Sequence, residues 1–279
     1  MNVWSENNEL LRTDYQKSNI KIIDCNKQSN VVLLFCSGNG LYYPNTEEEY
    51  CKKIRKQDRY EWENIANNDK LKKSVSRMIF IRDIYKQWYV TGINAKYNTI
   101  DKVVECLKQQ TVDSRRLIVV GNSAGGYAAV VLGILLKASR IITVSGQFRI
   151  DTNSGDIPFL KKYANDADRN KYYDLRPLLA KNKVPIFYFF PNRCNFDVEQ
   201  YNLVKNFTHI YFFKLNSDLH GAGINSRYYA DLFICNQLVI RWIYYLYYRN
   251  RLVNSNVFMF NVKTAISIIR NKVKRCLHR

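Results

Sequence analysis

Seven short runs of apolar, β-branched or aromatic residues punctuate this chain, at 20–23, 31–36, 78–81, 117–120, 141–144, 185–190 and 209–213. Most are continuous rather than alternating. A strand that meets apolar neighbours on both faces has no need of a polar face, so these runs predict strands covered on both sides. Between them lie segments of helical character at about 47–64, 98–110, 124–137, 174–181 and 198–206. Strands alternating with helices build an α/β protein around a doubly wound, mostly parallel sheet. At 279 residues, 47% of them hydrophobic, the chain is long enough to bury one sizeable core.

Two intervals depart from the rhythm. Residues 145–173 are polar and turn-rich with no clear strand, which fits a small cap or substrate loop over the sheet edge, or an ordinary surface loop. Beyond residue 225 two long helices are expected, at about 226–249 and 257–275. In the second, Val262, Ile266, Ile269, Val273 and Leu277 share one stripe, with Lys263, Arg270 and Lys274 opposite. The expected organisation is therefore a main domain over 1–255 and a basic amphipathic helix over 256–279.

The stretch from Leu117 to Ala129 reads LIVVGNSAGGYAA: an apolar run, Gly-x-Ser-x-Gly, then a helix of small residues. A serine hydroxyl attacks a carbonyl only when it is presented, deprotonated and backed by donors for the developing oxyanion. A sharp strand-to-helix turn presents it, and the helix N-terminus aims N–H groups at the new charge. Ser123 is thus the candidate nucleophile, with Gly121 and Gly125 leaving room for neighbouring backbone. A chance match in a tight turn is the bland alternative.

A base is needed, and only three histidines exist. His209 opens an apolar strand and His278 ends a basic tail. His220 sits in SDLHGAG just past the last strand, and is the candidate. Asp197, the first acid after the 185–190 strand, is the candidate to orient it, with Glu199 as runner-up; Asp218 is too near in sequence. The order Ser, Asp, His suits this fold. One oxyanion donor is expected from the backbone of Ala124. The other is expected from Asn39 in the Gly38-containing turn SGNG, which lacks the spacing of a nucleotide-binding loop.

Lys plus Arg number 43 against 24 acids, a net charge of +19, and no acid follows Asp231 while nine Lys and Arg do. Such asymmetry calls for an anionic partner: acidic polysaccharide, phosphorylated cofactor, anionic membrane surface or nucleic acid. No recognised nucleic-acid motif is present, so nucleic acid is the least favoured. The seven cysteines are scattered and never form CxxC, which argues against a disulfide framework or zinc site; no metal is expected. The first eleven residues lack an apolar signal-peptide core, and 229–248 is too polar for an easy membrane span, so a cytoplasmic protein is expected.

At these residues the sequence resembles the α/β-hydrolase superfamily, in particular serine-dependent O-acetyltransferases that decorate sialic-acid capsules of bacteria. The likeness runs from about Val31 to Gly223: SGNG, Asp83 with Trp88-Tyr89, GNSAGGYAA, YYDL at 172–175, and the Asp197, His220 pair. The resemblance implies acetyl-CoA as acyl donor and a surface-polysaccharide hydroxyl as acceptor, through an acyl-enzyme on Ser123. With water as acceptor the same residues make an esterase or deacetylase. A non-catalytic binding module is the third possibility. The basic region from Arg241 to Arg279, on helices with an apolar stripe, is expected either to dock the protein on an anionic inner membrane face or to pack its last helix on the body with the lysines solvated.

Overall fold

The computed structural model describes residues 8–112, 114–150 and 158–254. The helix expected at 257–275 and His278 lie outside them. Eight strands form one sheet: β1 (Ile20–Asp24), β2 (Val31–Cys36), β3 (Arg77–Ile81), β4 (Arg116–Asn122), β5 (Arg140–Val144), β6 (Ile186–Pro191), β7 (Ile210–Leu215) and the two-residue β8 (Leu252–Val253). Their order is β1-β3-β2-β4-β5-β6-β7-β8. β1 pairs antiparallel with β3, and every other pairing is parallel.

The helices are α1 (Glu9–Tyr15), α2 (Glu47–Tyr50), α3 (Asp69–Ser74), α4 (Ile100–Thr111), α5 (Ala124–Leu135), α6 (Pro158–Lys162), α7 (Ala167–Asn170), α8 (Arg176–Lys181), α9 (Asn195–Val204), α10 (Tyr229–Ile234) and α11 (Gln237–Ile243). α4, α5 and α8 cover one face of the sheet over Leu34, Ile79, Val119 and Ile141. α10 and α11 cover the other over Phe35, Phe80, Phe187 and Phe213. Alternate residues of a strand point to opposite faces, so two cores require runs apolar at every position. That explains why the runs of β2–β7 read as continuous, whereas the edge strand β1 admits Lys21.

Two long helices expected from sequence are broken. The 47–64 segment is helical to Lys56 and again only from Glu63, in a short 3₁₀ turn; between them Asp58 and Trp62 take positive φ of 44° and 72°. Tertiary bonds pull that stretch onto the sheet edge: Arg82 donates to Arg59 O, and Glu61 N donates to Ser37 Oγ. The 226–249 segment breaks at Cys235–Asn236, where the Asn236 side chain caps α11 by accepting from Leu238 N. The buried Arg140 guanidinium donates to the carbonyls of Leu232, Phe233 and Cys235, which α10 leaves open at its end. Sequence periodicity carries no sign of a cap that arrives from a distant strand. In the interval after β5, Ser145, Gln147, Phe148 and Ile150 are buried, and Arg149 bridges to Asp174.

Candidate active site

The site is assembled where the parallel strands end. β4 passes into α5 through Ser123, whose φ of 53° and ψ of −122° lie outside the regions comfortable for an L-residue. The surrounding structure holds this strain. Ser123 N donates to Val144 O at 2.9 Å, and Tyr127 N donates to Ser123 O at 3.0 Å. A Cβ on Gly121 would lie 1.9 Å from Gly125 O, and one on Gly125 would lie 2.3 Å from Cys36 O. A Cβ on Gly38 would stand 2.6 Å from Asn122 O, so the SGNG turn packs directly against the serine turn. The crossing of three backbones there requires glycine.

Ser123 Oγ lies 2.8 Å from His220 Nε2, and His220 Nδ1 lies 2.9 Å from Asp197 Oδ2. With the imidazole proton on Nδ1, that nitrogen donates to the carboxylate and Nε2 accepts from the serine hydroxyl. Asp197 is wholly buried in the first turn of α9, which begins at Asn195 rather than at the expected 198. His220 stands on a loop with 35% of its side chain exposed, and the Phe196 ring meets it edge-on at 5.1 Å. Glu199 and Asp218 are both exposed. His209 is buried at the start of β7, the opposite end of the strands, where burial lowers its pKa.

Ala124 is buried at the start of α5, and Asn39 is half-buried in the SGNG turn, with its side-chain amide donating to Lys86 O at 3.4 Å. Two further residues fix these loops, and sequence reading passed over both. Glu61 accepts from Gly38 N while its own N donates to Ser37 Oγ at 3.1 Å, a reciprocal clamp on the turn. Burial raises the Glu61 pKa, against the opposing pull of the Gly38 N–H and Arg59. It was hidden because 47–64 reads as one helix. Ser145 Oγ accepts from Gly221 N at 3.0 Å and so anchors the His220 loop. Its signal was present but weak: a small polar residue at the end of an apolar strand.

The segment after β3 frames the other side. Asp83 is buried and accepts from the backbone N–H groups of Tyr85, Gln87 and Tyr89; burial pushes its pKa up to about 6. Lys86, beside it, is 1% exposed, and burial lowers its pKa to about 7. Lys86, Trp88 and Tyr89 all take positive φ. Trp88 Nε1 donates to Gln147 Oε1 at 2.9 Å, closing the frame onto the segment that follows β5. Behind the Glu61 clamp opens a cavity of about 710 Å³ lined by Lys53, Arg59, Glu61, Trp62, Arg227 and Tyr229 among others.

The strand order, the single antiparallel edge strand and the strained strand–Ser–helix turn together decide the architecture. The fold is that of the α/β-hydrolases. No family model and no curated protein sequence matches the chain. Among solved structures, it is similar to a protein of unknown function from Staphylococcus aureus, at 15% identity over 80% of this chain and 92% of that one, with a TM-score of 0.51. It also aligns with a capsule O-acetyltransferase of Neisseria meningitidis serogroup A, at 13% identity over 72% and 84%, TM-score 0.49. A fluorophosphonate-binding serine hydrolase of Staphylococcus aureus aligns at 13% identity over 81% and 91%, TM-score 0.47. Such identities speak for the fold alone. Among the described residues no helix is long and apolar enough to cross a membrane.

Proposed function

We propose that this protein moves an acetyl group from acetyl-CoA to a hydroxyl of an acidic surface polysaccharide through an acyl-enzyme on Ser123. The observation that carries the acyl-enzyme step is the hydrogen-bonded line from Ser123 Oγ through His220 to buried Asp197. His220 Nε2 takes the serine proton as Oγ attacks the thioester carbonyl. Asp197 holds the ring's tautomer and stabilises the imidazolium. The N–H groups of Asn39 and Ala124 receive the oxyanion. Collapse expels the CoA thiolate, which takes the proton from His220. A sugar hydroxyl then gives its proton to Nε2 and attacks the acyl group, and Ser123 recovers its proton as it leaves. The cavity behind the Glu61 clamp sets Lys53, Arg59 and Arg227 and the acids Glu61 and Glu63 beside Trp62 and Tyr229, which supports a sugar ring held by aromatic faces and by donors and acceptors of both kinds. The basic residues from Arg241 onward would hold the enzyme at an anionic inner membrane face, each contributing about 1 kcal/mol near the surface; absence of binding to anionic liposomes at low salt would remove that part.

A second reading, esterase or deacetylase, is favoured by the exposure of His220, which leaves water free to take the acceptor's place. One experiment addresses both. A fluorophosphonate probe should label the protein at Ser123, and Ser123→Ala should lose the label and about 10⁴–10⁶ of turnover. CoA released from acetyl-CoA only when acidic oligosaccharide is added supports transfer. Rapid cleavage of simple acetyl esters with acetyl-CoA inert supports hydrolysis. An unlabelled wild type rules out both.

A further inference from the structure

Asp197 meets two side chains at once. Its Oδ2 accepts from His220, and its buried carboxylate also takes a hydrogen bond from the Cys194 thiol. Cys194, the residue before α9, brings its thiol to the same place. Its Sγ, a carboxylate oxygen of Asp197 and a ring nitrogen of His220 all lie within 4.8 Å of one another. It is the one such cluster among the described residues. Cys194 is half-buried and His220 partly exposed, so the cluster is open to solute from one side.

We propose that Cys194, Asp197 and His220 form a binding site for a thiophilic divalent cation of the Zn²⁺ class, and that the ion inhibits the enzyme. The binding stands on the cluster alone; the inhibition rests on the acyl-enzyme reading. Thiolate, carboxylate and imidazole are the donors Zn²⁺ takes, and three protein ligands leave a fourth position for water. Zn–S near 2.3 Å and Zn–N or Zn–O near 2.0–2.2 Å place ligand atoms roughly 3.3–3.7 Å apart in a tetrahedron. To reach that spacing the Cys194 Sγ has to draw in by up to about 1 Å while Nδ1 and the Asp197 oxygen, 2.9 Å apart, part slightly, movements the His220 loop can supply.

The proton bookkeeping decides the outcome. Metal binding at Nδ1 requires its lone pair, so the imidazole proton shifts to Nε2. The Cys194 thiol releases its own proton to solvent. With hydrogen on Nε2, the ring has no lone pair left to accept the Ser123 proton. Asp197 is drawn to the ion and no longer orients the ring. Turnover stops while Ser123 itself is untouched. A thiol that only donates a hydrogen bond to the Asp197 carboxylate is the rival account of Cys194, and the Co²⁺ titration separates the two.

Two readouts test this, one independent of turnover. Co²⁺ titrated into metal-free protein should give the near-ultraviolet thiolate-to-cobalt band and the intense visible bands of tetrahedral cobalt, and Cys194→Ala and Cys194→Ser should lose the thiolate band. Zn²⁺ should block fluorophosphonate labelling and ester turnover, with recovery on adding EDTA. Relative to each protein's own metal-free rate, the Cys194 variants should need at least ~10-fold more Zn²⁺, the lower end of what loss of even an outer-shell partner costs. Equal Zn²⁺ sensitivity in wild type and variants, or no thiolate band with Co²⁺, overturns the proposal. If metal-free wild type neither labels nor turns over, the acyl-enzyme reading fails instead, and the Co²⁺ titration still decides the site.

Discussion

The serine turn and the rim around it are held in different ways. Ser123 sits between a central strand and a helix whose residues Ala124–Ile134 are all buried, and its position follows from backbone meeting backbone. The rim, made of the SGNG turn and the His220 loop, is held by single side-chain bonds: Glu61 to Gly38, Ser145 to Gly221, Asp197 to His220. A backbone crossing has no spare room, so a change there is felt as lost stability. A side-chain tether can be cut with the fold intact, so a change there is felt in rate. The nucleophile belongs to the frame, and its helpers are adjustable.

The rim should give the largest effect when its buried member is altered. Asp197→Asn keeps the shape but favours the wrong imidazole tautomer; turnover should fall by about 10⁴ with little change in melting temperature. A large melting shift would mean that Asp197 belongs to the frame. Next comes the frame itself. Gly121→Ala puts a methyl 1.9 Å from Gly125 O, which should cost on the order of 3 kcal/mol. For a protein of this size that is a fall of about 10 °C in thermal melting. If Gly121→Ala melts normally and loses only rate, the contrast between frame and rim collapses.

Glu61→Ala should cost about 10–100-fold in kcat, less than the ~10²–10³ lost when an oxyanion donor itself is removed. Glu61→Gln, which still offers an oxygen to Gly38 N–H, should recover most of that rate. Equal losses in the two variants would show that charge, not tethering, matters. The smallest effect belongs to Ser145→Ala. It frees one N–H of the His220 loop, a neutral bond worth roughly 1 kcal/mol, and should slow turnover by a few-fold. Steady-state kinetics on an activated ester resolves all of these against the uncatalysed rate.

What the sequence made legible follows the same division. Strands buried on both faces must be apolar at every position, so β2–β7 announced themselves, and the glycines around Ser123 marked the turn. His220 emerged from a field of three, and Asp197 from its place after β6. The tethers were illegible for a physical reason. Glu61 and Ser145 act on partners 23 and 76 residues away, and a hydrogen bond across that distance leaves no local pattern. The helix breaks at Asp58 and Asn236 were hidden likewise, since Arg82, just past β3, and Arg140 in β5 impose them from afar. Asn39 and Ala124 come from motif position alone: Ala124 follows Ser123 in the chain, and Gly38, the neighbour of Asn39, packs against Asn122 O.

The 97 residues that separate Ser123 from His220 have a consequence for folding kinetics. β4 pairs with β2, β5 with β6 and β6 with β7, so the bond between the two side chains forms only after most of the sheet is in register. Contacts that remote in sequence form late, because the loops between them must close first. Catalytic competence therefore arrives as the last event of assembly, and a partly folded chain, however rich in helix, has a serine but no base.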